Sequence, residues 1–447
     1  MFGTIDYIVI SVYLALVVLI GYIVSRKQSE EDFLIAERKL GLLAGISTIN
    51  ATKTGGVLIA YTALLYVYGV SAFWLFIGVG LGYLLFIPFA RRLRKTSEGT
   101  FYTLGDYFRK QFSGRSAKLA SLINIIMMIG FFVVSLVGSA KVIHLYAGID
   151  FNIATIATSI VVLLYLLLAG FKAVVKTDIL QYGIIVFILG VFAAVLITGE
   201  TFSIGEIDMF QAGIGNVVGF LLIGVVFPFA SPDLWQRVYA MKSTSTASQS
   251  IFYSIVIYLV VAVILTLIGL AIKAALPELD PDIAIIEGFT QLLPVGFGGL
   301  AVVVFFGAFM SSMDTYAFTA SSSFVQDYFS TNISKTEIVR YTRWFLVAMV
   351  MTCTIVALLL QSVVVTTYLF VAFAAILAVP VIASWIHPKM KKITVEWALA
   401  IGIVLLVVFS THEVVMGDGI GSTIILKGIV SGLVGLATGG VISTFRS

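Results

Sequence analysis

Thirteen apolar runs follow one another along the 447 residues, and nearly every Lys and Arg falls on every second connection between them. A hydrocarbon core roughly 30 Å thick is crossed by about 20 apolar residues in a helix. The first seven runs are Tyr7 to Val24, Leu42 to Tyr68, Ala72 to Phe89, Leu119 to Leu145, Ile153 to Ala169, Leu180 to Ile197 and Val217 to Ala230. The last six are Ile251 to Ile272, Phe289 to Phe318, Trp344 to Leu360, Val364 to Ile386, Val395 to Phe409 and Ile424 to Thr444. With 60% hydrophobic and 11% charged residues, the chain lies far from the composition of a soluble domain. The pattern predicts an all-α polytopic membrane protein with 13 transmembrane helices.

Charge sets the orientation, because positive residues stay on the cytoplasmic side. Arg26, Lys27, Arg38 and Lys39 follow the first run, and the stretch Arg91 to Lys118 follows the third. Lys172 and Lys176 follow the fifth, Arg237 and Lys242 the seventh, and Lys335, Arg340 and Arg343 the ninth. Lys389, Lys391 and Lys392 follow the eleventh, and Arg446 lies near the end of the sequence. The other connections hold Lys273, Lys427 and mostly acids such as Glu200, Glu206 and Asp208. This places the N-terminus outside and the C-terminus in the cytoplasm of a multi-pass plasma-membrane protein. The first run, which follows no basic segment, reads as a retained helix and not a signal peptide. Cys353 is the single cysteine, so no intrachain disulfide is expected. His144, His387 and His412 are not spaced as metal ligands. No nucleotide or nucleic-acid motif appears, so an enzyme or a nucleic-acid partner is not expected. A monomer is expected.

Three runs are unusual. The second carries Asn50-Ala51-Thr52-Lys53-Thr54-Gly55-Gly56, where polar residues and paired glycines weaken a helix. The seventh carries Phe227-Pro228-Phe229-Ala230-Ser231-Pro232, where proline removes a donor and clashes with the preceding turn. Both are expected to be broken. Five runs separate them, as in two related five-helix repeats of opposite orientation, and transporters place solute and ion sites at such paired breaks. Two unrelated kinks are the alternative. The ninth run holds Ala308, Ser311, Ser312, Asp314 and Thr315. A carboxylate inside an apolar helix marks a candidate site, and hydroxyls within one turn suit a small hard cation. The other reading is serines that bond back to their own helix.

The stretch Gly170-Phe171-Lys172-Ala173-Val174-Val175-Lys176-Thr177-Asp178-Ile179-Leu180-Gln181 closely resembles the signature of the sodium–solute symporter family. Trp235-Gln236-Arg237-Val238-Tyr239-Ala240-Met241-Lys242-Ser243 resembles that family's Gln-Arg segment, and Ala308 to Asp314 its eighth core helix. The resemblance implies a leucine-transporter-like fold: residues 1–40 as a peripheral helix and loop, 41–200 and 210–392 as two inverted five-helix repeats, and 393–447 as two peripheral helices. It implies a main sodium site formed by the carbonyls of Ala51, Thr54 and Ala308 with the hydroxyls of Ser311 and Ser312. It implies a second sodium site at Asp178, near Ser312, Asp314 and Thr315. Phe227 falls where sugar-carrying members place an aromatic gate.

Lys53 departs from the family pattern, in which this position is neutral or acidic. It can hold a solute carboxylate in the cavity. It can replace or repel the cation, which would make transport proton-coupled or uncoupled. It can form a structural pair with Asp178 or Asp314. The expected function is sodium-coupled symport of a small polar solute, such as a carboxylate or amino acid, by alternating access. Lys53, Thr52, Gly55 and Phe227 would bind the solute. A sodium-independent or proton-coupled carrier and a membrane sensor are the alternatives.

Overall fold

The computed structural model describes residues 3–26, 29–97, 99–168, 170–199, 207–294, 296–329, 334–416, 420–421 and 423–445. Lys27, Glu200, Glu206 and Arg446, used above to orient the chain, lie outside the described residues. The helices in order are α1 (Thr4–Ser25), α2 (Glu30–Ile35), α3 (Leu42–Tyr68), α4 (Trp74–Ser97), α5 (Leu104–Gln111), α6 (Gly114–Ala147) and α7 (Phe151–Leu168). They continue with α8 (Phe171–Ile197), α9 (Ile214–Val226), α10 (Pro232–Ala240), α11 (Thr244–Ala275), α12 (Ala284–Leu292) and α13 (Gly298–Phe329). The last four are α14 (Lys335–Leu360), α15 (Val363–Ile386), α16 (Lys392–Met416) and α17 (Thr423–Phe445). Among the described residues the only β pairing is an isolated bridge between Leu40 and Met241.

Ten helical stretches among the described residues are long and apolar enough to cross a membrane, or eleven if the bent pair α9–α10 is one span. This is fewer than the thirteen expected. One stretch, Leu42–Ser97, contains both the second and the third run, joined through a 3-10 turn at Gly69–Phe73. The fifth run forms a shorter apolar helix, Phe151–Leu167.

The two expected breaks behave differently. The seventh run is broken: α9 ends at Val226, residues Phe227–Ala230 form a 3-10 turn, and α10 leaves at 46°. Pro228 and Pro232 supply no backbone donor here, and Ser231 takes non-helical torsions (φ −101°, ψ 88°). The second run is not broken; α3 runs unbroken through Asn50–Gly56. The polar side chains that were expected to unwind it bond back along the helix instead. Asn50 Nδ2 donates to Ile46 O (2.9 Å), Thr52 Oγ1 to Thr48 O (2.9 Å) and Thr54 Oγ1 to Asn50 O (2.9 Å). The ninth run starts later than expected. Pro294 and Gly296 (φ +96°) separate α12 from α13, so the chain turns before the long helix begins.

α13 is the central helix and packs on α6, α3, α8, α14 and α1. Several neighbour pairs come in exchanged sets: α3–α11 with α4–α9, α6–α7 with α13–α14, and α8–α13 with α15–α6. Two equivalent five-helix units, facing each other, produce this pattern. Small residues let the two units approach closely. A Cβ on Gly78 would lie 2.4 Å from Leu221 O, and one on Gly224 would lie 2.4 Å from Val79 N. That is the close backbone contact which glycine permits between membrane helices. α1 lies at the rim with Ile5, Ile8, Val12 and Ile23 exposed, an apolar face suited to lipid.

Candidate ion and solute site

Two polar clusters, meeting at Thr52, border α3. The first is at its contact with α13. Ser311 Oγ donates to Ala308 O (3.1 Å) and lies 3.2 Å from Ala51 O. Ser312 Oγ lies 2.9 Å from Ala308 O and 3.0 Å from Thr52 O, and it accepts from the Gly55 N–H at 3.2 Å. Tyr316 donates its hydroxyl to the same Thr52 carbonyl (2.9 Å). Five oxygens thus crowd together: three carbonyls and two hydroxyls, all on fully buried residues. The carbonyls stay in their helices and also accept the Ser311, Ser312 and Tyr316 hydroxyls, which a cation would displace by rotating their hydrogens away. Gly55 makes the approach possible, because a Cβ there would sit 2.6 Å from both Ala308 O and Ser312 Oγ. Such a donor set, all hard oxygens with no sulfur or nitrogen, fits an alkali cation.

The residues expected for the main sodium site meet in part. Ala51, Ala308, Ser311 and Ser312 come together. The Thr54 carbonyl makes no contact with the serine pair among the described residues, and Thr52 contributes the second α3 carbonyl. Thr52 and Gly55, expected to contact the solute, face α13 and do not line the cavity described below. Gly56, one residue on, does line the cavity.

The second cluster surrounds two buried cations. Lys53 Nζ contacts Asp233 Oδ2 (2.8 Å), Asp233 Oδ1 (3.0 Å) and Ser231 Oγ (3.0 Å), and lies 4.7 Å from the Phe227 ring centre. Its partner is thus neither Asp178 nor Asp314. The ammonium also points away from the serine cluster, so it does not take the cation's place there. Arg237, fully buried, donates Nη2 to Thr52 Oγ1 (2.5 Å) and Thr315 Oγ1 (2.8 Å) and Nε to Thr48 Oγ1 (2.9 Å). It stands 3.5 Å from Asp178 Oδ2, which accepts from Thr48 Oγ1 at 2.5 Å, and 3.9 Å from Asp233 Oδ2. Two basic and two acidic side chains alternate, the arrangement in which buried charges compensate one another. The expected second sodium set is therefore divided. Arg237 engages Asp178 and Thr315. Asp314 sits nearby, facing the Tyr165 hydroxyl and not Arg237.

Asp233, Ser231, Thr48 and Tyr316 were missed as site residues. Asp233 lies one turn before Arg237, just past Pro232, and an acid at a membrane break carries the same signal as Asp314.

A cavity of about 450 Å³ opens above the Lys53 pair, within the range that holds small organic ligands. Lys53, Gly56, Phe131, Phe227 and Tyr316 lie around it, and it extends to Ala212, Gly213 and Thr423. On the far side of the Phe227–Ser231 bend lies a packed group of aromatic rings. Trp235 packs against Phe89 (5.2 Å) and Tyr107 (5.2 Å), and Phe229 against Trp385 (6.2 Å).

The model of the sodium:solute symporter family matches residues 33–404. The chain is 23% identical over 444 residues to the osmoregulated proline transporter of Bacillus subtilis (strain 168), covering 92% of this chain and 90% of that one. It is 24% identical over 348 residues to a sodium/proline symporter of Staphylococcus aureus (strain JH9), covering 72% and 68%. Its fold matches a substrate-bound, outward-open sodium-coupled sialic acid symporter with TM-score 0.81 at 18% identity, over 99% of this chain and 98% of that one. It also matches a nucleobase-cation-symport-1 family transporter in a closed conformation, with TM-score 0.60 at 12% identity, over 91% and 92%. The family match covers most of the chain, and the fold agrees along its whole length: this protein belongs to the sodium:solute symporter family.

Proposed function

We propose that the chain uses the sodium gradient to import a small organic solute, with sodium held where α3 meets α13. The observation that carries this is the convergence of the Ala51, Thr52 and Ala308 carbonyls on the Ser311 and Ser312 hydroxyls. These groups come from two different helices, so an ion shared between them ties one to the other. Lys53 and Phe227 form the floor of the solute cavity.

The positive-inside pattern puts the N-terminus outside and the C-terminus in the cytoplasm. The loop at Ala212 and the start of α17 at Thr423 then face outward, and so does the cavity. Trp235, Phe89 and Tyr107 form the closed inner side. Residues 41–200 and 210–392 act as the two inverted repeats, which move against each other around the site. Residues 1–40 and 393–447 are peripheral.

Arg237 supports one sodium per cycle, because its guanidinium holds the side of Asp178 that faces Thr315. One charge moving down 100 mV contributes about 2.3 kcal/mol, enough for a roughly fifty-fold solute gradient. The test is uptake into proteoliposomes under an inward NaCl gradient against choline chloride. Accumulation only with sodium supports the reading; equal accumulation in both refutes it.

A further inference from the structure

The proposed solute cavity presents a mainly apolar surface, with the Tyr258 and Tyr368 hydroxyls as its side-chain groups without a hydrogen-bond partner among the described residues. The Tyr61 hydroxyl is paired with Thr266 Oγ1 (2.6 Å), and Tyr316 donates to Thr52 O (2.9 Å). Asn216 Nδ2 donates to Ala212 O (2.8 Å), and Thr367 Oγ1 donates to Val363 O (2.7 Å). The walls instead present rings and aliphatic groups: Phe131, Phe220, Phe227, Tyr258, Leu64 and Val134.

Charge is placed at one end only. Lys53 lines the cavity, whereas its partner Asp233 does not. Asp233 lies behind the ammonium, with Arg237 at 3.9 Å on its other side. Lys53 Nζ gives its three hydrogens to Asp233 and Ser231, so a carboxylate from the cavity exchanges for one of these bonds. A carboxylate arriving there meets a cation, with the face of Phe227 beside it. A solute ammonium would meet the same cation and find no carboxylate lining the cavity among the described residues. A sugar would find only Tyr258, Tyr368 and Asn216 for its many hydroxyls, and would lose roughly tenfold in affinity for each one left unpaired.

We propose that the solute is a monocarboxylate with a bulky apolar body, its carboxylate against Lys53 and its body among the aromatic side chains. This rests on the cavity being the solute site.

The test uses purified full-length protein in detergent with phenylacetate, phenylacetamide, proline and glucose as probes. Thermal unfolding is followed in NaCl and in choline chloride. Ligand that binds only the folded state raises the melting temperature with concentration. Phenylacetate is expected to stabilise the protein at concentrations about tenfold below phenylacetamide, the worth of one charged contact of about 1.4 kcal/mol. Proline and glucose should give smaller shifts. In Lys53→Gln the acid and the amide should converge. The double variant Lys53→Gln/Asp233→Asn removes both charges, so it keeps the test valid if the single variant unfolds. Equal effects of acid and amide on the wild type, a larger shift with proline or glucose, or an acid preference that survives Lys53→Gln overturns the proposal. A sodium-induced shift without any acid preference refutes the solute class alone. Absence of both shifts refutes the sodium reading as well.

Discussion

Gly55→Ala is a small change placed at the ion contact. The new methyl would stand 2.6 Å from Ala308 O and 2.6 Å from Ser312 Oγ, whereas ordinary contact begins near 3.4 Å. α3 and α13 must therefore separate locally by ~0.8 Å, since the Ala308 carbonyl belongs to a buried helix and cannot swing aside. The Ser311–Ala51 and Ser312–Thr52 distances of 3.2 and 3.0 Å widen with it. Overpacking of this kind costs about 1–3 kcal/mol. If most of that cost falls on the ion-bound state, where the two helices are held together, sodium affinity drops about 10- to 100-fold. The assay is sodium titration of purified protein, read as thermal stabilisation against choline chloride at constant ionic strength. Gly56→Ala, where the nearest atom is Val134 Cγ1 at 3.9 Å, is the matched control. Wild-type sodium affinity in Gly55→Ala, with the variant folded, would refute the placement of the ion at this contact.

Breaking the Lys53–Asp233 pair by Asp233→Asn leaves a buried ammonium and should cost about 3–5 kcal/mol, whereas Lys53→Gln/Asp233→Asn together should cost much less; thermal unfolding of the two variants and their parent checks the difference. Arg237→Lys should not be conservative, because one ammonium cannot reach Thr48, Thr52, Thr315 and Asp178 together, and loss of folded protein on size-exclusion chromatography is the expected result. Trp235→Ala removes the centre of the inner aromatic cluster at a cost of about 3–5 kcal/mol. It should raise reactivity of cysteines introduced below the bend. Cys353, fully buried, leaves a low labelling background.

The membrane spans were legible because composition alone decides them, and the bend at Phe227–Pro232 was legible because proline cannot continue the hydrogen-bond ladder. The second run misled for a physical reason. Asn50, Thr52 and Thr54 carry groups that disrupt a helix when they compete for its backbone, yet each bonds a carbonyl one turn back and leaves the helix intact. The start of the ninth run was hidden because Phe289 to Leu293 is as apolar as the helix that follows, and Pro294 with Gly296 decides the boundary. The serine cluster of the ninth run was readable from spacing, since Ala308, Ser311 and Ser312 share a turn. The partner of Lys53 was not. Asp233 is 180 positions away in sequence and meets it only because the bent helix folds back on α3. Arg237 stood inside a recognised motif, but its role as a built-in cation between Asp178 and Thr315 needs three helices to be placed first.

The central claim is best tested by direct binding of radioactive sodium to purified protein without solute. Wild type should bind saturably, with choline unable to compete, and Ser311→Ala/Ser312→Ala should lose that binding while remaining folded. Lys53→Gln/Asp233→Asn should retain it. Saturable binding that survives loss of both serine hydroxyls, or no saturable binding in the wild type, would contradict the account.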